Sequence, residues 1–429
     1  MIVAAPDAAS EPTPLLNWAG NLRYSAARLH RPGSVEEVQD TVRRAAKLRA
    51  LGSRHSFNRV ADTPEDLLST ERLNAVVGFD RAARTVTVEG GIRYGDLGRF
   101  LRGEGFALPN LASLPHISVA GAVATATHGS GVRNGNLATS VRAVEFVRAD
   151  GELVRLSRDE DPETFPGAVV SLGALGPMVR LTLDVVPDFA IAQTVYERLP
   201  LAEIEANFNE VVSAAYSVSL FLRYREPIAD QVWVKRAAAD APDEGTFFGA
   251  RRADRPMHPV PGMDPINCTP QGGLAGPWDE RLPHFRLEFT PSSGEELQSE
   301  FILPRRHAHA ALMALQGLRD AIAPLLYVSE LRTAAADDLW LSPMYGEESV
   351  CLHFTWLPLW PEVSALLPGI ESALAPFGAK PHWGKLFAGE GSAVAALFPR
   401  LRDFDALARR HDPEGKFRNP FLEAILGTV

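Results

Sequence analysis

Residues 112–131 form a long run that is almost uncharged and dominated by small side chains and hydroxyls. A core helix would carry larger side chains, and a solvated loop would carry charge. Small side chains allow the main chain to approach a ligand closely, and hydroxyls can bond to polar edges. The run therefore predicts a backbone segment that lies along a flat molecule with polar edges.

A second stretch, residues 51–58, ends an apolar run and continues with Gly52, Ser53, Arg54, His55 and Ser56. Gly52 has no Cβ, and successive backbone N–H groups in such a turn can form a nest for phosphate oxygens. His55 is the only strong nucleophile in the stretch. Taken alone, the stretch is also compatible with an ordinary loop and a structural histidine.

The chain has 429 residues, more than one hydrophobic core usually supports, so two domains are expected. The net charge of −10 argues against a nucleic-acid partner, which would require a basic face. The two cysteines, Cys268 and Cys351, offer neither a disulfide framework nor metal spacing. Free thiols in a reducing compartment and no bound metal are therefore expected.

The first residues, 1–14, lack the basic and apolar regions of a secretory signal, and residues 1–16 are predicted to be a disordered tail. No apolar stretch is long enough to span a membrane. We therefore expect a cytoplasmic protein with no membrane partner.

Residues 17–187 alternate between helix and strand patterns, which predicts an α+β unit. Ser34 and Glu37 have the spacing of a capping box at the start of a helix. The predicted elements are a helix at 34–47, strands at 48–51, 85–88 and 181–186, a helix at 94–102 and a hairpin at 145–154.

Residues 188–389 are predicted to form a second domain around an antiparallel sheet. Residues 237–284 are loop-rich, and a loop of that length usually has a function or is disordered. A C-terminal segment, 390–429, with a helix at 398–409, is placed back on the first domain. The predicted elements of the second domain are strands at 216–223, 231–235, 285–289, 297–303, 327–333, 350–356 and 381–387 and a helix at 307–325.

Two short motifs in the second domain carry candidate chemistry. Glu330 and Arg332 lie two apart on a predicted strand and so share a face, where they can clamp substrate hydroxyls or form a structural ion pair. In the motif 381–385, Lys385 follows Trp383 and Gly384. Lys385 can stabilise charge at a reactive centre, or it can be a surface lysine beside a packed tryptophan.

Together, residues 51–58 and 112–131 resemble the phosphate- and isoalloxazine-binding segments of FAD proteins of the vanillyl-alcohol-oxidase type. The histidine-tryptophan-x-lysine motif at 382–385 resembles that of the sugar-1,4-lactone oxidases and the alditol oxidases. The order of the motifs over 17–429 is similar to that of the alditol oxidases specifically. The resemblance implies an α+β, two-domain FAD-binding (PCMH-type) fold whose antiparallel-sheet substrate (cap) domain covers the flavin.

The resemblance also implies roles for individual residues. His55 matches a histidine that is covalently bonded to FAD; non-covalent flavin with a structural His55 is the alternative. Glu330, Arg332 and Lys385 match catalytic positions. The other implied cofactor-binding residues are Gly52, Ser53, Arg54, Ser56, Ser118, Gly121, Thr125, Ala126, Thr127, His128, Pro177 and His382. The implied polyol-binding residues are Ser113, Gln298, Glu330, Arg332, Thr355 and Lys385.

Two positions depart from the pattern of the family. Pro177 follows a glycine-containing turn, 171–176, that matches a further flavin-binding segment, and it stands where an aliphatic residue is expected. Proline has no N–H, so only a carbonyl contact with flavin can remain there. Ala126, where glycine is common, is a milder departure.

The function implied is an FAD-dependent oxidase that converts the terminal CH₂OH of a small linear polyol, such as xylitol or sorbitol, to the aldose. Hydride would pass to flavin N5, and O₂ would be reduced to H₂O₂. A monomer is expected. Three alternatives stay open: a sugar-1,4-lactone oxidase or dehydrogenase, a non-catalytic flavin or carbohydrate binder, and a zinc hydrolase.

Overall fold

The computed structural model describes residues 14–238, 245–289 and 295–427. Of the predicted tail, residues 1–13 lie outside this part, whereas Leu16 pairs with Arg23 in an isolated antiparallel bridge. The helices are α1 Val35–Arg44, α2 Tyr94–Gly103, α3 Val119–Ala124, α4 Phe165–Val169, α5 Leu201–Ala206, α6 Phe208–Ser213, α7 Ala308–Gln316, α8 Arg319–Ile322, α9 Trp360–Leu374, α10 Gly391–Ala395, α11 Leu401–His411 and α12 Pro420–Leu426.

The strands of the described residues form two small and two larger groups. In chain order they are β1 Arg28–His30, β2 Leu48–Leu51, β3 Asp66–Ser69, β4 Val76–Asp80, β5 Thr85–Glu89, β6 Phe106–Ala107, β7 Val141–Val147, β8 Leu153–Ser157, β9 Met178–Asp184, β10 Val186–Pro187, β11 Ala190–Pro200, β12 Ser217–Leu222, β13 Ile228–Ala237, β14 Thr246–Phe247, β15 Ala250–Arg252, β16 Ala275–Pro277, β17 Leu297–Pro304, β18 Leu326–Ala334, β19 Ser349–Trp356 and β20 Lys380–Pro381.

The N-terminal half contains a parallel sheet, β1-β3-β2, and a five-stranded antiparallel sheet, β4-β5-β9-β7-β8. Alternating burial of β5 and β9 places their apolar side chains in one large core cluster. The run at 112–131 crosses this unit as a loop that contains α3, and Val119 and Val123 of that helix are fully buried in the same cluster. The small-residue run is therefore fixed on a packed layer.

The second half is built on a ten-stranded sheet, in the order β14-β15-β11-β13-β12-β18-β19-β17-β20, with β16 paired to β11. A second apolar cluster covers one side of this sheet and includes residues of α7 and α9. The central strands β12, β18, β19 and β17 are antiparallel neighbours. The prediction of an α+β chain with a large antiparallel sheet is confirmed.

Several predicted elements have different bounds in the structure. The helix predicted at 34–47 ends at Arg44, because Ala45 is already extended (ψ 135°) and β2 begins three residues later. Of the capping box, the Glu37 N–H donates to Ser34 Oγ, but the Glu37 carboxylate accepts from Gly33 and not from Ser34. The helix predicted at 307–325 is divided at Gly317 into α7 and α8.

Two strand predictions are wrong. At 285–289, Phe285 forms only an isolated bridge with Cys268, and turns follow it. At 381–387, pairing with β17 ends at Pro381, and the chain then turns toward the N-terminal half. Both segments bond to loops of the N-terminal half instead of pairing in the sheet. Such contacts between distant parts of the chain are not encoded by alternation in the sequence.

The C-terminal residues bond to the parallel sheet. Leu48 N–H donates to the Lys416 carbonyl (3.0 Å), and the Asn419 amide donates to the carbonyls of Arg59 and Asp62. Arg49, which is buried, donates to the Phe417 and Leu172 carbonyls. These bonds join β2, the turn at 171–176 and the chain end around one buried guanidinium. Along the described residues, no helix combines the length and apolarity that crossing a bilayer demands.

Candidate active site

One cavity is lined by loops of the N-terminal half and by strands of the large sheet. Residues of the two stretches 51–58 and 112–131 border it, and so do Glu330, Arg332 and Lys385 of the second half. Residues 258–260, 263 and 284 of the long loop-rich segment also border it. The sequence-predicted site residues that border the cavity are Gly52, Ser53, Arg54, His55, Ser56, Ser113, Gly121, Thr125, Thr127, His128, Gln298, Glu330, Arg332, Thr355, His382 and Lys385.

Three predicted cofactor residues do not border the cavity. The Pro177 carbonyl accepts a bond from Val147 N–H (3.1 Å), so its acceptor is engaged within the sheet. Ala126 is fully buried, has a positive φ of 53° and does not border the cavity. Ser118 is buried before α3, where its Oγ accepts from Ser53 N–H (3.2 Å). All three residues therefore lie outside the lining of the cavity, and in the described part of the chain only Ser118 of the three bonds to a residue that borders it.

The His55 loop is held in one conformation by its neighbours. The Trp18 ring stacks on the His55 ring at a centroid distance of 5.4 Å, and Trp18 N–H donates to the Arg54 carbonyl (2.8 Å). Arg54 has a positive φ of 64°, a strained backbone that persists where surrounding contacts fix it. His55 Nδ1 lies 3.0 Å from Ser53 Oγ.

The His55 ring is suited to carry a ligand. Its Nε2 atom is buried and has no hydrogen-bond partner among the described residues. Burial, with His116 and Lys385 nearby, lowers the pKa of His55 to about 3, so the ring is neutral at physiological pH. A buried polar atom without a partner costs free energy unless a ligand satisfies it. The ring therefore offers a free lone pair or N–H beside the cavity.

The two glycines of the loops form a narrow cradle. A Cβ added to Gly52 would lie 2.6 Å from Ser118 Oγ, and one added to Gly121 would lie 2.9 Å from the same atom. The two main chains approach each other here only because both residues lack a side chain. The cradle, the orphaned His55 nitrogen and the uncharged run at 112–131 together fit FAD, with Gly52, Ser53, Ser56, Thr125 and Thr127 as residues that would hold it.

The segment 382–385 is bound to the His55 loop. The Asn58 amide donates to the carbonyls of Trp383 (2.8 Å) and Lys385 (2.7 Å), and Phe57 N–H donates to the Gly384 carbonyl (2.8 Å). The lack of a side chain at Gly384 favours this approach, since an added Cβ would make a tight contact of 3.2 Å with Ser56 Oγ. Trp383 is fully buried and bonds to the Leu341 carbonyl, so its ring belongs to the core.

Three neighbouring strands of the sheet each place two polar residues on the face toward the cavity. The pairs are Gln298 and Glu300 on β17, His353 and Thr355 on β19, and Glu330 and Arg332 on β18. His353 is the cross-strand partner of both Glu300 and Glu330, and Thr355 is the partner of Gln298. Cross-strand partners share a face, so one polar patch results.

Arg332 is the cation at the centre of this patch. Its Nη2 donates to Glu300 Oε1 (2.7 Å), and its Nε lies 3.6 Å from Glu330 Oε2. All three side chains are buried. Although burial alone opposes their ionisation, the mutual attraction lowers the pKa of both carboxyls and raises the pKa of Arg332. The patch is therefore ionised at neutral pH.

Lys385 stands beside the patch with an unusual pKa. Its Nζ donates to Gln298 Oε1 and lies 4.8 Å from the centroid of the Phe57 ring. His353 Nε2 donates to the same oxygen (3.2 Å). Burial lowers the pKa of Lys385 to about 8, although Glu300 opposes the shift. Among the groups bordering the cavity, Lys385 can change its charge near neutral pH.

Sequence reasoning missed Glu300, His353, His284 and Asn58. Glu300 and His353 could have been found, because each lies two residues from a predicted site residue, Gln298 or Thr355, on a predicted strand. Glu330 and Arg332 were recognised by the same spacing. His284 and Asn58 carried no such signal, because each acts through contacts between segments far apart in the chain. In the part of the chain that the structure covers, no group of three or more potential ligands could hold a metal ion.

Comparison with solved structures shows the fold. Cholesterol oxidase from B. sterolicum matches with a TM-score of 0.78 and 14% identity over 99% of this chain and 100% of that one. Xylooligosaccharide oxidase from Myceliophthora thermophila matches with a TM-score of 0.73 and 14% identity over 96% of this chain and 95% of that one. At these identities, the likeness extends to the architecture alone.

Sequence comparison identifies the family. Residues 26–157 match the FAD binding domain model, and residues 295–425 match the D-arabinono-1,4-lactone oxidase model. L-Gulono-1,4-lactone dehydrogenase from Mycobacterium tuberculosis is 28% identical over 96% of this chain and 98% of its own length. Alditol oxidase from Streptomyces sp. (strain IKD472 / FERM P-14339) is 51% identical over 96% of this chain and 99% of its own length. The chain therefore belongs to the alditol oxidases, which are FAD-dependent oxidoreductases.

Proposed function

We propose that the protein oxidises the terminal CH₂OH of small linear polyols such as xylitol and sorbitol to the aldose, with O₂ reduced to H₂O₂. The observation that carries the proposal is the polar patch of β17, β18 and β19, which borders the same cavity as the His55 loop. Family membership supports the same reaction.

The patch suits a linear polyol because every carbon of such a substrate carries a hydroxyl. Glu330 accepts hydrogen bonds, Arg332 donates, and Ser113, Gln298 and Thr355 can do both. A buried site built to bond hydroxyls rejects analogues that lack them, since its polar groups are then left unpaired. We therefore assign substrate binding to these five residues and Lys385.

Removing the hydroxyl proton is the step in which the protein's charges matter most. Arg332, and Lys385 once it has taken up the proton, lower the cost of an alkoxide. The carboxyls of Glu300 and Glu330 have lowered pKa values and are poor proton acceptors. Lys385, with a pKa of about 8, has a fraction of neutral amine near pH 7, and we assign its Nζ as the atom that takes up the proton.

FAD, when bound, supplies the hydride acceptor at N5 and the reaction with O₂. We propose that it is held covalently through His55, because this neutral ring has a buried nitrogen without a partner in the described structure. Acid precipitation tests the link: the pellet stays yellow for the native protein and loses its colour for His55→Ala. His116→Ala, a change at a nearby histidine that does not border the cavity, should keep the yellow pellet.

The reaction itself is tested by anaerobic mixing with xylitol followed by exposure to air. We expect the flavin absorbance near 450 nm to bleach and peroxide to form in proportion to xylitol consumed. A protein that stayed coloured and made no peroxide, yet bound xylitol, would be a non-catalytic binder and would refute the proposal.

A sugar-1,4-lactone activity is the second candidate, favoured by the match of residues 295–425 to a lactone oxidase model. A lactone is cyclic and offers fewer hydroxyls to the patch than xylitol does. Comparing kcat/KM for xylitol with that for a 1,4-lactone decides between them. A higher value for the lactone would replace the polyol assignment.

We also propose a cytoplasmic monomer. Two free, buried cysteines are consistent with a reducing compartment. Cell fractionation tests the location, and sedimentation equilibrium tests the state: a mass near 46.6 kDa is expected for one chain.

A further inference from the structure

Glu330 is the end of a row that contains two further polar groups, which no sequence motif marked. His284 Nε2 is 2.8 Å from Glu330 Oε1, and His284 Nδ1 is 3.1 Å from Lys235 Nζ. All three side chains are buried, with 5%, 6% and 1% of His284, Glu330 and Lys235 exposed. Buried polar groups in such a row must agree in which atom donates and which accepts.

Lys235 determines that direction. An ammonium group has three N–H donors and no acceptor. Three atoms surround Lys235 Nζ: the carbonyl oxygens of Leu282 and Pro283, and His284 Nδ1, which must be unprotonated to accept from an ammonium group. Since Nδ1 accepts, the proton of a neutral ring is on Nε2, from where it donates to Glu330. Burial, with Lys235 beside it, lowers the pKa of His284 to about 4, so the ring is neutral.

The row is built by two separate parts of the chain. Lys235 is on β13 and pairs with Ser217 of β12, whose Phe221 is the cross-strand partner of Glu330. His284 is on the long loop-rich segment that follows β13, and its backbone N–H donates to the Ser113 carbonyl (3.0 Å). The same loop therefore contacts Ser113 and Glu330, which both border the cavity.

We propose that Lys235 and His284 are positioning residues for Glu330: His284, held by Lys235, occupies Oε1 and leaves Oε2, beside Arg332, to accept a substrate hydroxyl. The proposal rests on the proposed function in taking Glu330 as a group that binds the polyol. At metal sites, removing a residue that orients a ligating side chain by hydrogen bonding typically costs about 10–100-fold in activity, and we expect a loss of the same order here.

Three variants separate positioning from packing. His284→Leu removes both bonds, and Lys235→Met removes the donor to Nδ1, whereas His284→Gln keeps an N–H near the position of Nε2. We expect kcat/KM for xylitol to fall about 10–100-fold in the first two, mainly through KM, and about threefold or less in His284→Gln. Flavin content and thermal midpoint are measured for each, so that unfolded protein is not scored as inactive.

A second substrate sharpens the test. 1,5-Pentanediol has the terminal CH₂OH of xylitol but none of its inner hydroxyls. If the row positions Glu330 for a hydroxyl, His284→Leu lowers the ratio of kcat/KM for xylitol to that for the diol. A purely structural defect lowers both values and leaves the ratio unchanged, and that result would overturn the proposal.

The tautomer provides a readout that needs no substrate. The measurement uses protein with ¹⁵N-labelled histidine at pH 6. Burial lowers the pKa of Lys235 to about 7, although Glu330 opposes the shift, so Lys235 is an ammonium group at this pH. The native His284 should then show a protonated Nε2 and an unprotonated Nδ1. Lys235→Met should lose that pattern, and the His284→Gln spectrum assigns the signal. A protonated Nδ1 in the native protein would refute the row. Failure of xylitol turnover in the native enzyme would instead refute the proposed function and leave this measurement standing.

Discussion

Arg332 Nη2 lies 2.7 Å from Glu300 Oε1, and this ion pair is buried between β17 and β18 beneath the cavity. Glu300 reaches Arg332 across β19, because His353 of that strand pairs with Glu300 on one side and with Glu330 on the other. Arg332 is thus held by Glu330 of its own strand, β18, and by Glu300 of β17, which lies beyond β19 in the sheet. The guanidinium that we assign to the substrate is therefore fixed before any substrate binds.

Glu300→Gln should destabilise the protein strongly. The substitution keeps the shape but removes a buried negative charge, and breaking a buried pair from one side typically costs about 3–5 kcal/mol. Denaturant unfolding measures the change in the free energy of unfolding. Glu348→Gln, which removes an exposed partner of Arg305, should leave the unfolding midpoint almost unchanged. Equal effects of the two changes would show that the buried pair has no special weight.

The rate of polyol oxidation should rise with pH through about 8. Lys385 is proposed to accept the proton as a neutral amine, and its pKa is lowered to about 8 by burial. Glu300 raises this pKa, so Glu300→Gln should move the rising limb of the pH profile of kcat/KM to lower pH. Both profiles are measured with saturating O₂. A limb that falls through pH 8 would assign Lys385 the role of an obligatory cation, and no movement in Glu300→Gln would show that Lys385 does not set the limb.

The sequence was sufficient for the parts of the site that depend on local spacing. Glu330 and Arg332 share a face because they are two apart on a strand, and β18 places both at the cavity. Gly52 and the small residues of 112–131 predicted close approach of the main chain to a ligand, which stays a prediction; the structure shows that Gly52 and Gly121 both lie against Ser118. In these cases a single element carries the pattern and the geometry follows from its period.

The remaining parts depend on which elements become neighbours. His353 lies between Glu300 and Glu330 only because β19 is inserted between β17 and β18, out of chain order. Residues 285–289 alternate like a strand, yet the tie between His284 and Ser113 pulls that segment out of the sheet. Such choices are made by the whole core, and no window of sequence contains them.

Gly52→Ala should reduce the amount of FAD retained by the purified protein. The new Cβ would lie 2.6 Å from Ser118 Oγ, and relieving this clash would displace the hydroxyl that accepts from Ser53 N–H between the two cavity loops. Adding Ser118→Ala removes that oxygen, and the remaining Ser118 Cβ is 3.8 Å away, so the double variant should recover much of the flavin. The ratio of absorbance at 450 nm to that at 280 nm is the measurement. Gly103→Ala, at a position with open space, is the matched control. Failure of the double variant to recover flavin would locate the effect of Gly52 in backbone conformation and not in this contact.

The stability of the flavin-loaded protein should decline as pH falls below about 6.5, before the carboxyl groups titrate. Burial lowers the pKa of His353 and His382 to about 3 and that of His284 to about 4. In the unfolded chain these histidines have a pKa near 6.5, so below that pH they bind protons that the folded protein does not bind. Their contribution to the free energy of unfolding is therefore fully present above about pH 6.5 and is lost as pH falls from there toward 3–4. Each such histidine contributes at most about 1.4 kcal/mol per pH unit. Urea unfolding at pH 6.5 and 5 measures the slope. His353→Gln should flatten it, whereas His309→Gln, on an exposed part of α7, should leave it as in the native protein. A native slope near zero over this interval would mean that these rings accept protons in the folded state, which would contradict their burial as neutral groups.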